Sequence, residues 1–231
     1  MKVLIKIITG YKYYLLLGIR VTIVVSLCAS MLGMIFGTIL ALVKRTKFKP
    51  LKWLTSLYVE IVRGTPVLVQ ISMVYYGLPM IGVSFPNVEV GGVTFDRLFA
   101  GIVALAINST AYICEIVRGG IESVDSGQKE AAQALGFSNF NIMTLIILPQ
   151  ALRNVLPTLG NEFVSMIKQS SQVSIMGLAD LMYAADIIRG NTYRPFSPLV
   201  IVAAIYLILG FSVSYIFKVI ERSTQKGRRT I

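Results

Sequence analysis

The sequence predicts an all-α integral membrane protein organised as a single domain over residues 1–231. Three observations support this class. Hydrophobic residues make up 55% of the chain, and charged residues only 14%, whereas soluble domains carry about a quarter charged residues. In addition, several uncharged apolar runs reach the length of about 20 residues that a helix needs to cross a bilayer.

Five apolar segments qualify as transmembrane helices. They cover about residues 13–43, 54–80, 98–117, 157–179 and 197–220. Basic residues gather after the first segment, at 44–52, and after the last, at 226–229. Since Lys and Arg near spans stay on the cytoplasmic side, five crossings with the N-terminus outside and the C-terminus inside fit both clusters.

Proline and glycine interrupt two of these segments. The second contains Gly64-Thr65-Pro66, a possible break inside the membrane. Pro149 and Pro157 argue against one straight helix before the fourth segment, so we expect a membrane-surface helix that leads into a span beginning near Pro157. In the first segment, small residues recur every four positions and allow another helix to approach closely, either within the chain or from another subunit: Ala29, Gly33, Gly37 and Ala41.

Composition also narrows the function. The chain has no histidine, which removes the usual general base and the commonest transition-metal ligand. Cys28 and Cys114 lie in apolar stretches and read as small buried side chains. The net charge is +11, and the basic residues lie beside the spans. This position favours anionic lipid headgroups over nucleic acid as their binding partner. We therefore expect no enzyme activity and no metal site.

The polar loop at about residues 118–141 carries the strongest signal. Glu130-Ala131-Ala132 is followed by Gly136 and then by Ile146, Leu148 and Pro149. A short amphipathic helix is expected here, and Gly136 suits its left-handed end. One predicted face holds Ala131, Ala132 and Leu135, and the other holds Gln128, Lys129 and Gln133.

This pattern resembles the EAA loop of importer permeases of the ATP-binding-cassette superfamily, with matching spacing throughout. Two further stretches look like those of polar amino acid permeases for histidine, arginine and glutamine: Glu60 to Pro66, and Leu159 to Glu162 with Lys168 to Ser171. The resemblance covers residues 14 to 220. It implies the type I importer permease fold, with five spans and a short cytoplasmic coupling helix, in a bacterial cytoplasmic membrane.

The resemblance also implies partners. They are a second permease, either a copy of this chain or a paralogue, a dimer of ATPase subunits that bind ATP and magnesium, and an external solute-binding protein. The chain itself has no G-x-x-x-x-G-K-[ST] phosphate loop, so we expect no cofactor in it. Coupling to the ATPase is assigned to five residues: Glu130, Ala131, Ala132, Leu135 and Gly136.

Three acids fall within the predicted spans, where an unpaired charge is costly. Glu60 and Glu115 each have an arginine three residues later, Arg63 and Arg118, which allows pairing on one helix face. Glu162 has Lys168 six residues away, about 9 Å along the axis, so direct pairing within the helix is excluded. We expect Glu162 to bind a substrate cation or to serve a structural role.

Other polar residues lie near the predicted middle of the membrane, where transporters bind substrate. As candidate substrate contacts we take Glu162, Asn108, Thr110, Glu115, Ser165, Lys168, Gln169 and Glu60. Lys168 would receive the substrate carboxylate or pair with an acid on another span, and Asn108 and Thr110 would equally serve as hydrogen bonds between spans.

The resulting functional hypothesis is ATP-driven import of a basic amino acid, namely arginine, lysine or histidine, by alternating access. Import of glutamine or another neutral polar amino acid is the alternative. A more remote alternative is an ion-coupled secondary amino acid transporter, which would work without an ATPase.

Overall fold

A computed structural model describes residues 2–83, 86 and 88–226, and within them the chain is almost entirely helical. The helices are α1 Lys2–Gly10, α2 Lys12–Val43, α3 Lys49–Gly64, α4 Val67–Met80, α5 Phe95–Glu122, α6 Ser126–Ala134, α7 Asn139–Asn141, α8 Leu148–Gln169, α9 Leu181–Thr192 and α10 Ser197–Lys226. A π-helical segment, Ile142–Ile147, joins α7 to α8, and a 3₁₀ segment, Ser170–Met176, continues α8. An antiparallel hairpin pairs β1 Glu89–Val90 with β2 Val93–Thr94.

The predicted all-α membrane fold is confirmed, with the short hairpin as an addition. Four helical stretches are long and apolar enough to cross a membrane: Lys12–Val43, Phe95–Glu122, Asn139–Met176 and Ser197–Ser223. The pair α3 and α4 makes a fifth if it is one broken span. Of the C-terminal basic cluster, Arg228 and Arg229 lie outside the described residues.

The break between α3 and α4 falls at the predicted Gly64-Thr65-Pro66. The chain bends there by 108° from one helix to the next. Thr65 is extended, with φ −114° and ψ 145°, because the ring of the following proline excludes the helical region at the residue before it. Pro66 then precedes the first residue of α4. The bend is therefore encoded locally by the proline.

The expectation that a span begins near Pro157 after a separate surface helix is wrong. Helix α8 starts at Leu148, places Pro149 in its first turn and continues through Pro157 to Gln169. Pro149 comes one residue after the π-helical segment Ile142–Ile147, where the backbone hydrogen bonds are already out of the α-helical register. Pro157 removes only one α-helical hydrogen bond, and surrounding spans help a membrane helix to tolerate this loss.

The small residues of α2 form its contact with α5, which confirms the packing face within the chain. Ala29, Gly33, Gly37 and Ala41 are all buried. A methyl group added at Gly33 would lie 2.3 Å from Ser109 Oγ, and one at Gly37 would lie 2.8 Å from the carbonyl oxygen of Thr110. The two backbones approach too closely for any larger side chain.

Helix α9 occupies the stretch between the fourth and fifth predicted spans, for which no helix was predicted. Asp180 caps it by accepting a 2.9 Å hydrogen bond from the N–H of Tyr183. Leu181 is fully buried, and the N–H of Leu181 donates to Thr22 Oγ1 of α2 at 3.3 Å. This helix closes the end of the bundle opposite α6 by packing on α2 and α10.

The α2–α5 contact predicts the effect of two matched glycine replacements. Gly37→Ala should destabilise the protein by about 1–3 kcal/mol, as overpacking in a close-packed core does, because its new methyl group meets the backbone of Thr110. Gly119→Ala, where nothing lies within 4 Å, should be neutral or should stabilise α5 by about 0.5–1 kcal/mol. Unfolding titrations in detergent measure both, and equal stability of the two variants would contradict this packing.

Candidate functional site

One face of α8 is polar along its whole length. At about 100° per residue, seven of its polar side chains fall within an arc of about 120°, whereas Arg153 lies outside this arc; all seven are exposed or half-buried: Asn154, Thr158, Asn161, Glu162, Ser165, Lys168 and Gln169. The opposite face packs inward through Gly160, Met166 and Ile167. Polar groups at membrane depth face either a water-filled route or another protein surface.

Glu162 is the acid on this face. Its Oε1 atom is buried and has no hydrogen-bond partner among the described residues. Lys168 does not reach it, because the lysine lies at the other edge of the polar face and lines a groove toward α10 beside Tyr206 and Gly210. The carboxylate is therefore left with unused acceptor capacity.

One turn after Glu162, two more predicted residues meet. Gln169 Nε2 donates to Ser165 Oγ at 3.2 Å, while Gln169 Oε1 is buried with no partner in the described part of the chain. Glu162, Ser165 and Gln169 thus form one strip of polar atoms, in which a carboxylate and an amide oxygen can still accept hydrogen bonds.

Asn108 and Thr110 are buried in α5, away from the polar face of α8. Asn108 Nδ2 donates to Gln70 Oε1 of α4 at 3.0 Å, and Gln70 Nε2 donates to the carbonyls of Val62 at 2.6 Å and Thr65 at 3.0 Å. Thr110 supplies the carbonyl that lies against Gly37. Asn108 therefore links α5 to the bend between α3 and α4.

Gln70 is a structural residue of this region that the sequence interpretation missed. It is only 8% exposed and donates to carbonyl oxygens that the broken helix leaves free. An amide four residues after Pro66 in a mostly apolar run could have indicated it, since a polar side chain in a span usually bonds to the backbone or to another helix.

Glu115 lies at the α6 end of the bundle and is surrounded by cations. Its Oε1 atom is 2.6 Å from Lys44 Nζ, and its Oε2 atom is 2.7 Å from Arg118 Nη2. Arg63 Nη1 is 3.9 Å from the same oxygen. The predicted pair with Arg118 is confirmed, and the carboxylate has no free side for a substrate.

The predicted pairing of Glu60 with Arg63 is wrong. Arg63 turns instead toward α5, where it lies over the ring of Tyr112 at 5.4 Å from the ring centroid and approaches Glu115. Glu60 is exposed, and the described residues include no ion pair with it. The arginine prefers the half-buried acid because attraction between charges is stronger away from water.

Helix α6 carries the residues assigned to coupling. The carboxylate of Asp125 accepts from the N–H of Gly127 at 2.7 Å and caps its start. At its end, the N–H groups of Gly136 and Phe137 donate to the carbonyls of Gln133 and Ala132, and Gly136 has φ 80°. The predicted left-handed glycine end is confirmed, in the geometry of a Schellman motif.

The predicted division of α6 into two faces is only partly right. Ala132 is buried at 3% exposure in a cluster with residues before and after the loop, but Ala131 and Glu130 are exposed, and Leu135 is 78% exposed. Gln128 is exposed, as expected for the polar face, and accepts a 2.5 Å hydrogen bond from Gln150 Nε2 at the start of α8. The prediction therefore fails at Ala131 and Leu135, which are exposed.

The cluster around Glu115 predicts a structural rather than a substrate-binding effect of its neutralisation. Glu115→Gln should lower the free energy of unfolding by about 2 kcal/mol, the range of hydrogen bonds to charged groups, since Lys44 and Arg118 lose their shared anion. Glu60→Gln, the matched exposed control, should change it by less than about 0.5 kcal/mol. Unfolding titrations test both, and an unchanged stability of Glu115→Gln would remove this role.

Comparison with known proteins identifies the family. Residues 33–226 match the model described as binding-protein-dependent transport system inner membrane component. The chain is 37% identical over 214 residues to an arginine transport system permease protein of Bacillus subtilis, covering 93% of this chain and 94% of that protein. It is 41% identical over 216 residues to a putative glutamine transport system permease protein of Rickettsia prowazekii, covering 91% and 95%.

Solved structures agree with this assignment. A chain from the crystal structure of an amino acid ABC transporter with histidines is 42% identical, with a TM-score of 0.85 over 94% of this chain and 96% of that one. A chain of the MetNI methionine ABC transporter in an inward facing conformation shares the fold at 19% identity, with a TM-score of 0.73 over 92% and 96%. The chain therefore has the permease fold of type I importers and belongs to the family of inner membrane components of binding-protein-dependent transport systems.

Proposed function

We propose that this chain is the membrane subunit of an ATP-driven importer for a basic amino acid, and that the polar face of α8 lines its pathway. The observation that carries the proposal is Glu162, a half-buried acid whose Oε1 atom has no partner among the described residues. An ammonium or guanidinium group would supply the missing charge and the missing donors. The name of the relative in arginine transport supports a basic substrate, whereas the name of the relative in glutamine transport supports only an amino acid.

In this proposal, Ser165 and Gln169 bind polar groups of the substrate next to Glu162. A second permease, identical or paralogous, covers the exposed polar face, so that substrate passes between two such faces. Asn108 serves the structure around the α3–α4 bend through its Nδ2 donor to Gln70, although its Oδ1 atom has no partner among the described residues. Glu115 serves the cluster with Lys44 and Arg118. Lys168 lies at the edge of the face, where it would meet a carboxylate of the substrate.

Coupling is assigned to α6 and to the apolar side chains near it. Leu135 and Phe140 are 78% and 75% exposed, which suits burial in a groove of an ATPase subunit that binds ATP and magnesium. A solute-binding protein would deliver substrate at the opposite end, near α9. The orientation proposed with this arrangement is the N-terminus outside and the C-terminus in the cytoplasm.

Glutamine import is the second candidate function, favoured by a relative named for glutamine transport and by the amide of Gln169 with its unpartnered oxygen. An ion-coupled transporter is the remote alternative, and transport by proteoliposomes that lack the ATPase would identify it.

Neutralising Glu162 tests the basic substrate. Glu162→Gln should reduce the affinity for arginine by about tenfold or more, since a hydrogen bond to a charged group is worth about 1.5–3 kcal/mol, and should leave glutamine uptake unchanged. Uptake of arginine and of glutamine is measured in proteoliposomes that hold the complete complex, and the ratio of the two uptake rates is compared between the variant and the original protein. Glu60→Gln, on an exposed acid, is the control.

Three outcomes are informative. A selective loss of arginine uptake supports the assignment. An equal loss for arginine and glutamine would contradict recognition of a basic side chain, because Glu162 would then be structural or would bind the α-ammonium group that both amino acids carry. Unchanged uptake of arginine would place the cation site elsewhere.

The coupling surface is tested at Leu135. Leu135→Asp should lower the amount of ATPase that copurifies with the chain by about tenfold or more, because an unpaired carboxylate is costly in an apolar groove. Leu135→Met should retain it. The thermal midpoint of the permease should stay unchanged in both variants, since the side chain is 78% exposed; full ATPase recovery with Leu135→Asp would remove Leu135 from the contact.

A further inference from the structure

An apolar groove runs between α1, α2 and α10 and holds about 460 Å³. Leu15 and Ile201 are buried at its floor, while Ile8, Leu16 and Ile208 stand exposed along its rim. Lys12, the first residue of α2, is the charged side chain in its lining. The groove is thus apolar along its length except at Lys12, where a charged ammonium group lies.

The groove lies at the end of the bundle opposite α6. Helix α2 starts beside it at Lys12 and ends at Val43, next to Lys44 and its ion pair with Glu115. Its lining residues come from α1, α2 and α10, and the polar face of α8 contributes none of them. The groove is therefore separate from the pathway and from the coupling surface proposed above.

Helix α1 has the pattern of a helix that lies at a membrane surface. Lys2 and Lys6 share one face and are exposed, whereas Leu4 and Ile8 line the groove and Ile7 is buried at 5% exposure. Helices with lysines on one face and aliphatic residues on the other bind the boundary between headgroups and acyl chains, and anionic lipids strengthen this binding.

The lysines at this end have no anion of their own. Residues 1–59 contain no aspartate or glutamate. Among the ion pairs of the described residues, none involves Lys2, Lys6 or Lys12. Asp186 of α9 pairs with Arg189 at 2.9 Å, and Asp180, which precedes α9, bonds to Tyr183 and Tyr206. Glu89 of the hairpin is exposed, and no ion pair of the described residues joins it to these lysines. An anion from outside the chain would complete this group.

We propose that the groove binds one anionic phospholipid, with an acyl chain along α10 and the phosphate at Lys12. A second copy of this chain fits less well. In a two-fold symmetric contact the same patch meets itself, so the lysines of α1 and α2 would face lysines, and the part of α10 that lines the groove carries no acid. A soluble partner would have to enter apolar surface between membrane spans.

The test uses the complete complex, delipidated in detergent and titrated with phosphatidylglycerol, and with phosphatidylcholine of the same acyl chains, under native mass spectrometry. We expect one retained phosphatidylglycerol per copy of this chain. Lys12→Gln should lower its occupancy by about fivefold, the effect of one lysine at a lipid surface, without changing phosphatidylcholine binding. Lys47→Gln, an exposed lysine at the far end of α2, is the charge control.

Groove filling gives an independent measurement. Ala204→Trp places bulk inside the groove, where Ala204 is a lining residue, and should remove the bound lipid. Ile216→Trp adds bulk to an exposed position of α10 outside the groove and should leave the lipid in place.

The proposal is overturned if phosphatidylglycerol and phosphatidylcholine bind equally, if Lys47→Gln loses as much lipid as Lys12→Gln, or if neither Lys12→Gln nor Ala204→Trp changes occupancy. It is also overturned if Ala204→Trp separates the two permeases in the same spectra, because the groove would then be a contact between copies.

Discussion

The close contact between α2 and α5 is the constraint on which the rest of the structure depends. Lipid gives no hydrophobic force between helices, so membrane helices associate by close packing of small residues. Gly33 and Gly37 bring α2 against Ser109 and Thr110 with no space for a methyl group. With α5 held in this position, two of its side chains contact the pair α3 and α4 at different levels along the helix. Asn108 bonds to Gln70 of α4, and Glu115 approaches Arg63 of α3.

The bend between α3 and α4 is tolerated because its free backbone groups find partners inside the chain. An unsatisfied carbonyl in the bilayer interior costs several kcal/mol, and Gln70 donates to the carbonyls of Val62 and Thr65 beside the break. Asn108 then holds Gln70 in place. The break is in this way a defined structure, held from the neighbouring helix.

The features that the sequence predicted are those that depend on neighbours along the chain. Hydropathy predicted the apolar spans, Pro66 predicted the bend between α3 and α4, and Gly136 predicted the end of α6. The errors involve contacts between distant segments: Arg63 pairs with Glu115 of α5 and not with Glu60 of its own helix. Pro157 was misjudged for the same reason, because what a helix tolerates inside a bilayer is decided by the spans around it.

The exposed polar face of α8 also affects the life of the chain before it is assembled. Asn161 and Lys168 are exposed on the isolated chain, and in lipid such groups draw water into the membrane or tilt the helix away from its native position. A newly inserted copy therefore keeps these polar groups uncovered until the second permease proposed above contacts them. Surplus copies would be natural substrates for membrane proteases, so quality control would balance the amounts of the subunits.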